Sequence, residues 1–145
     1  MKKLLFLCTG NYYRSRFSEE YFNHFARQHQ LDWFADSKGL QRSFVGNGNV
    51  GPIATNTLNK LTELGISPLG QTRMPVQVYE EDLHNYDRVI AVSRDEHQPM
   101  LIELWPQSLI KKVEYFDVED LHIEGPETAL PRLIRHLDLL ISELR

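Results

Sequence analysis

The chain has 145 residues, 41% of them hydrophobic and 25% charged, with a formal net charge of -4 and a single cysteine. A chain of this length suits one domain, residues 1–145, burying about 68–70% of the surface its unfolded form would expose. The negative charge argues against a nucleic-acid partner, and one cysteine excludes both an intramolecular disulfide and a cysteine-cluster metal site; a thiol needed in reduced form suits the cytoplasm.

Residues 4–8, LLFLC, form an apolar run bounded by Thr9 and Gly10, which predicts a buried parallel strand. Two lysines precede it, but the run is too short for a signal peptide, and no stretch is long and apolar enough for a membrane span. From residue 14 to 29, Phe17, Tyr21, Phe22, Phe25 and Ala26 fall at helical spacing, with Glu19 and Glu20 read as acids favouring the helix N-terminus. Residues 31–37 read as a second strand. Residues 38–51, KGLQRSFVGNGNVG, carry four glycines and two asparagines and read as a long functional loop. Pro52 is expected in the first turn of a helix capped by Gly65. A breaker-rich connection over 66–78 leads to a short acidic helix over 79–86.

The continuous run Val89 to Val92 predicts a central strand, residues 94–104 a helix in which Pro99 limits the start, and residues 113–116 a fourth strand. Residues 117–125, DVEDLHIEG, are acidic and irregular. A long terminal helix is expected from Leu130, with Pro131 in its first turn. Alternation of strands and helices implies an α/β fold whose parallel sheet is covered on both faces. Ligands of such sheets bind beyond the carboxyl ends of the strands, and Cys8 lies at one of them.

The chemistry concentrates in residues 4–15, LLFLCTGNYYRS, where Cys8 is followed by Arg14 and Ser15 in a C-x5-R-S string. A cysteine attacks as its thiolate, so a nucleophilic role for Cys8 demands groups that favour an anion. Backbone N–H groups of the loop, the N-terminus of the next helix, the Arg14 charge and the Ser15 hydroxyl would all do so, and the same groups bind phosphate. Arg14 offers a planar fork that matches two phosphoryl oxygens. Gly10 supplies a position able to take positive φ, and Asn11 tolerates the left-handed region while its side chain braces the loop. A dinucleotide-binding loop would want G-x-G-x-x-G, and this loop has one glycine. Tyr12, Tyr13 and Phe44 are candidate walls of a cleft deep enough for a phenyl phosphate. The six histidines show no ligand spacing and read as surface or helix positions, so neither metal nor cofactor is expected.

The pattern C-x-G-N-x-x-R-S near the N-terminus, carried by Cys8, Gly10, Asn11, Arg14 and Ser15, resembles the phosphate-binding loop of the low-molecular-weight protein tyrosine phosphatases. The resemblance extends over the chain in length and element order, and Ser37 looks like the family's second-strand serine that supports the loop asparagine. It implies a three-layer domain with a four-stranded parallel sheet and a cysteinyl-phosphate intermediate. Cys8 would be the nucleophile, Arg14 the phosphoryl clamp and Ser15 the thiolate stabiliser, with Thr9, Gly10, Asn11, Tyr12, Tyr13, Arg14 and Ser15 cradling the phosphate. The implied substrate is a phosphotyrosine protein or a small phosphomonoester, with inorganic phosphate as product.

For the general acid the family uses an aspartate in a late loop. Its pattern favours Asp120; Asp117, nearer the strand, is the alternative and could instead brace the turn. Tyr12 and Tyr13 stand where relatives commonly carry smaller residues, Arg16 replaces a frequent proline, and Ser93 stands where many have an aspartate. Two other readings compete. An arsenate reductase of the thioredoxin-coupled kind needs further cysteines, and an idle phosphate-binding module would not need a nucleophile.

Overall fold

The computed structural model describes residues 1–119 and 125–145. The LLFLC run forms the second half of strand β1, Lys2–Cys8, and is wholly buried. Strands β2 (Trp33–Gly39), β3 (Arg88–Ala91) and β4 (Val113–Tyr115) complete a four-stranded sheet of order β2-β1-β3-β4, parallel throughout. The helices are α1 (Arg14–Gln28), α2 (Thr55–Glu63), α3 (Glu80–Asn85), α4 (Arg94–Leu104), α5 (Gln107–Ile110) and α6 (Pro126–Leu144). No described helix is long and apolar enough to cross a membrane.

Two-residue alternation sorts β1 between two cores. Leu4, Phe6 and Cys8 join Phe17, Phe22, Leu61, Leu133 and Leu137 from α1, α2 and α6. Leu5 and Leu7 join Leu83, Leu101 and Ile110 from α3, α4 and α5. The chain leaves β1 for β2 on one side and later returns to β3 on the other. This switch of direction opens a crevice beyond the carboxyl end of β1, where Cys8 lies.

Several boundaries differ from the sequence reading, each for a tertiary reason. Strand β2 runs two residues later than expected, and the amide of Asn23 on α1 pairs with both backbone groups of its Ala35. Helix α2 starts at Thr55 rather than Pro52, because the preceding backbone is committed elsewhere: the Pro52 carbonyl accepts from Arg16 and the Ala54 N–H donates to the Tyr12 carbonyl. Helix α4 spans the expected residues with Pro99 inside it, its start fixed by the Ser93 hydroxyl, which accepts the Glu96 N–H. Helix α5 was not anticipated. Helix α6 begins at Pro126, where a missing N–H costs nothing, and the Gly125 carbonyl accepts from Thr128 and Ala129; Pro131 therefore lies within the helix, not in its first turn. Glu19 and Glu20 are not in the first turn of α1. Both are buried and accept hydrogen bonds from other segments: Glu19 from Ser37 and Arg73, Glu20 from the Leu69 and Gly70 N–H groups.

Candidate active site

The loop from Cys8 to Arg14 turns sharply out of β1 into α1, and its carbonyls are tied to neighbouring segments. Leu40 and Gln41 N–H groups donate to the Cys8 and Thr9 carbonyls, Ala54 N–H to that of Tyr12, and the Thr57 hydroxyl to that of Tyr13. Carbonyl and following N–H point in opposite directions across a trans peptide, so the Tyr13 and Arg14 N–H groups face away from α2. The residue with positive φ is Asn11, at 49°, and not Gly10. Gly10 gives the loop above room to approach: a Cβ there would lie 2.9 Å from Asn49 Nδ2, whose side chain would have to turn aside.

Asn11 is fully buried and uses its whole amide. Its Nδ2 donates to the hydroxyls of Ser15 and Ser37, each at 2.9 Å, while Oδ1 accepts from Val76 N–H at 2.9 Å and Arg73 at 3.2 Å. Ser37 donates onward to Glu19 at 2.6 Å, and Arg73 also reaches both of them. Burial raises the Glu19 carboxyl above the ordinary range, against the opposing Ser37 hydrogen bond and Arg73 charge. Ser15 Oγ lies 2.9 Å from Cys8 Sγ. Since Asn11 donates to that oxygen, the Ser15 proton can turn to the sulfur when Cys8 is a thiolate.

Cys8, Thr9, Gly10, Tyr12, Tyr13 and Arg14 line one cavity of about 170 Å³, together with Gln41, Asn47 and Asn49. Tyr12 donates to the Val50 carbonyl at 2.6 Å, tying the loop of residues 40–51 over the cavity, whereas Tyr13 is buried and packs into the core beside Phe17. Phe44 does not line this cavity. Its ring instead packs over Gly39, 2.9 Å from where a Cβ there would stand, so the expected aromatic wall holds for Tyr12 and Tyr13, with the amides of Gln41, Asn47 and Asn49 beside them.

Arg14 is 2% exposed, with Nη1 donating to the Val118 carbonyl at 2.9 Å and Nη2 to Glu96 Oε2 at 2.8 Å. The same Glu96 oxygen accepts from the Thr9 hydroxyl and lies 3.0 Å from Nε2 of the fully buried His97. Burial works to raise the Glu96 carboxyl, but hydrogen bonds from His97 and Arg14 and the Arg14 charge outweigh it and hold the group well below the usual carboxylate range. Sequence reasoning missed Glu96 and Arg73; His97 is on a helix, as expected, but its burial against Glu96 was not foreseen. The available signal for Glu96 and His97 was position: both follow a strand at its carboxyl end.

Asp117 does not line the cavity that holds Cys8. Its carboxylate is 2.5 Å from His136 Nε2 and lines a separate cavity with Arg94, Tyr115, Phe116 and Glu119. The His136 hydrogen bond lowers its carboxyl below the ordinary value. Asp120 lies outside the described residues. Among the described residues no group of histidine, cysteine and acidic side chains could hold a metal ion.

Three solved structures show how far the likeness runs. A low molecular weight protein tyrosine phosphatase from T. tengcongensis shares 26% identity with a TM-score of 0.80, over 99% of this chain and 100% of that one. SP-PTP, a low molecular weight protein tyrosine phosphatase from Streptococcus pyogenes, shares 21% with a TM-score of 0.83, over 100% and 94%. YwlE, described as an arginine phosphatase and seen with a phosphorylated active-site serine in place of cysteine, shares 21% with a TM-score of 0.75, over 98% and 95%. Among curated proteins none matches. The family model for low molecular weight phosphotyrosine protein phosphatase matches residues 3–130, and with the C-x5-R-S loop standing at the head of that match, the chain belongs to this family of cysteine-dependent phosphatases.

Proposed function

We propose that the protein hydrolyses phosphate monoesters, protein phosphotyrosine foremost, through a cysteinyl-phosphate intermediate. The observation that carries the reading is the shared cavity of Cys8 and Arg14 at the N-terminus of α1, with Ser15 Oγ 2.9 Å from the sulfur. Cys8 Sγ attacks phosphorus as the bond to the leaving oxygen breaks, and Asp120 gives that oxygen its proton. Water then attacks the thiophosphate, Asp120 takes a proton from it, and inorganic phosphate leaves as the thiolate is restored. Arg14 and the loop from Thr9 to Ser15 hold the phosphoryl oxygens as charge moves between oxygen and sulfur. Ser37 acts indirectly, by holding Asn11. The reaction calls on no metal and no second thiol, and Cys8 is the only cysteine, so a relay of the arsenate-reductase kind has no partner thiol in this chain.

The test is hydrolysis of p-nitrophenyl phosphate in the presence of a chelator, followed by phosphotyrosine and phosphoarginine peptides side by side. Cys8→Ser should abolish turnover and Arg14→Lys should cut it to a small residual rate. Activity surviving in both variants, or lost to the chelator, would overturn the mechanism; preference for the phosphoarginine peptide would overturn the substrate.

A further inference from the structure

We propose that Glu96 is a positioning residue for Arg14, holding the guanidinium and the Thr9 side of the loop in one fixed arrangement, with His97 keeping the Glu96 carboxylate in place. The inference rests on the phosphatase reading, because Arg14 matters only if it clamps a phosphoryl group.

Three donors converge on one oxygen, Glu96 Oε2: Arg14 Nη2 at 2.8 Å, the Thr9 hydroxyl, and His97 Nε2 at 3.0 Å. His97 can act only in one tautomer. Its Nδ1 accepts the Ser93 N–H at 3.2 Å, which leaves the ring proton on Nε2, directed at Glu96 and at Thr9 Oγ1, 3.1 Å away. The carboxylate is itself set by α4, whose N-cap Ser93 accepts the Glu96 N–H. Each member is thus oriented by another, and the group bridges the start of α4 to the end of β1.

Two alternative roles are disfavoured by geometry. Glu96 does not line the cavity that holds Cys8, so it does not block the phosphate site. All three donors also converge on its Oε2 and favour the carboxylate, and it stands outside the cavity a leaving group would enter, so it is not the acid of the reaction. What remains is orientation. Arginine has a long, freely rotating side chain, and Arg14 is gripped at Nη1 by the Val118 carbonyl and at Nη2 by Glu96, which fixes the plane of the fork. Strong phosphoryl binding in the transition state depends on that plane more than ground-state binding does.

The experiment compares steady-state and single-turnover hydrolysis of p-nitrophenyl phosphate by wild type, Glu96→Gln, Arg14→Lys and the double variant, with thermal melting as a folding control. Glu96→Gln should lower kcat by about 10–100-fold and move KM by less than about 3-fold. In the Arg14→Lys background the same substitution should change the residual rate by less than about 2-fold, since both act through one guanidinium. Should Glu96→Gln fail to fold, Glu96→Asp withdraws the carboxylate by one methylene and should still lower kcat by about 3–10-fold. An unchanged kcat in the folded variant, or a full additional loss in the Arg14→Lys background, overturns the inference. Wild-type protein without hydrolysis, or hydrolysis that survives Cys8→Ser, overturns the phosphatase reading instead.

Discussion

Replacing Asn11 by alanine removes the hub of the loop, and the structure allows the consequence to be worked out bond by bond. The Ser15 and Ser37 hydroxyls keep other partners, Cys8 and Glu19, so each of those two lost bonds should cost only about 0.5–1 kcal/mol. The Val76 N–H loses its acceptor and should cost about 1–2 kcal/mol in its half-buried setting, while Arg73 keeps Glu19, Ser37 and Met74 as acceptors and adds little. Alanine must also hold φ at 49°, which adds about 1 kcal/mol. The sum is about 3–5 kcal/mol, a fall in melting temperature of about 10 °C for a chain of this size. Asn11→Gly loses the same hydrogen bonds without the φ penalty and should melt about 2–4 °C above Asn11→Ala. Thermal and urea unfolding of the three proteins measure this directly, with kcat/KM on p-nitrophenyl phosphate alongside, which should fall in both variants as Ser15 loses its anchor. If the two variants melt together, and within about 2 °C of wild type, water has replaced the amide and the bookkeeping is wrong.

Two further outcomes follow from the acidic side chains. On a substrate with a poor leaving group, Asp120→Asn should lower kcat by about 100-fold while Asp117→Asn, whose carboxylate is turned to His136, stays within about 3-fold; a larger loss in Asp117→Asn would reassign the proton donor. The Glu96 carboxyl is held below its ordinary value in the folded protein, so its contribution to stability is complete above the unfolded value of about 4.3 and fades as pH falls through the folded value. The stability difference between wild type and Glu96→Gln, measured by urea unfolding, should therefore be constant from neutral pH to about pH 5 and shrink only in stronger acid; a difference that disappears between pH 7 and 5 would assign the titration to another group.

What could be read in the sequence is what the chain must place locally. A nucleophile that uses a helix N-terminus has to sit in the loop that feeds the helix, so Cys8, Asn11, Arg14 and Ser15 fall within eight consecutive residues and their spacing is visible without a structure. Strand β1 was equally legible, because a strand buried on both faces has no polar alternation to obscure it. Charge compensation has no such constraint. Arg73 and Glu96 reach the loop from segments 62 and 82 residues from the side chains they contact, and nothing in their own neighbourhoods distinguishes them from solvated charges. Helix α4 hides its purpose further, since His97 is buried one position after Glu96, and a polar residue on a buried face weakens the periodicity that would have marked it. The Phe44 expectation failed for a related reason: an aromatic in a glycine-rich loop was free to pack inward on Gly39, leaving Asn47 and Asn49 as that loop's contribution to the cavity. The candidate reacting groups are therefore encoded by sequence spacing, whereas the groups that hold them are encoded by the strand order, which brings the end of β1 against the start of α4. A substitution at Glu96 should consequently act on the geometry of Arg14 while leaving the motif that identifies the family unaltered.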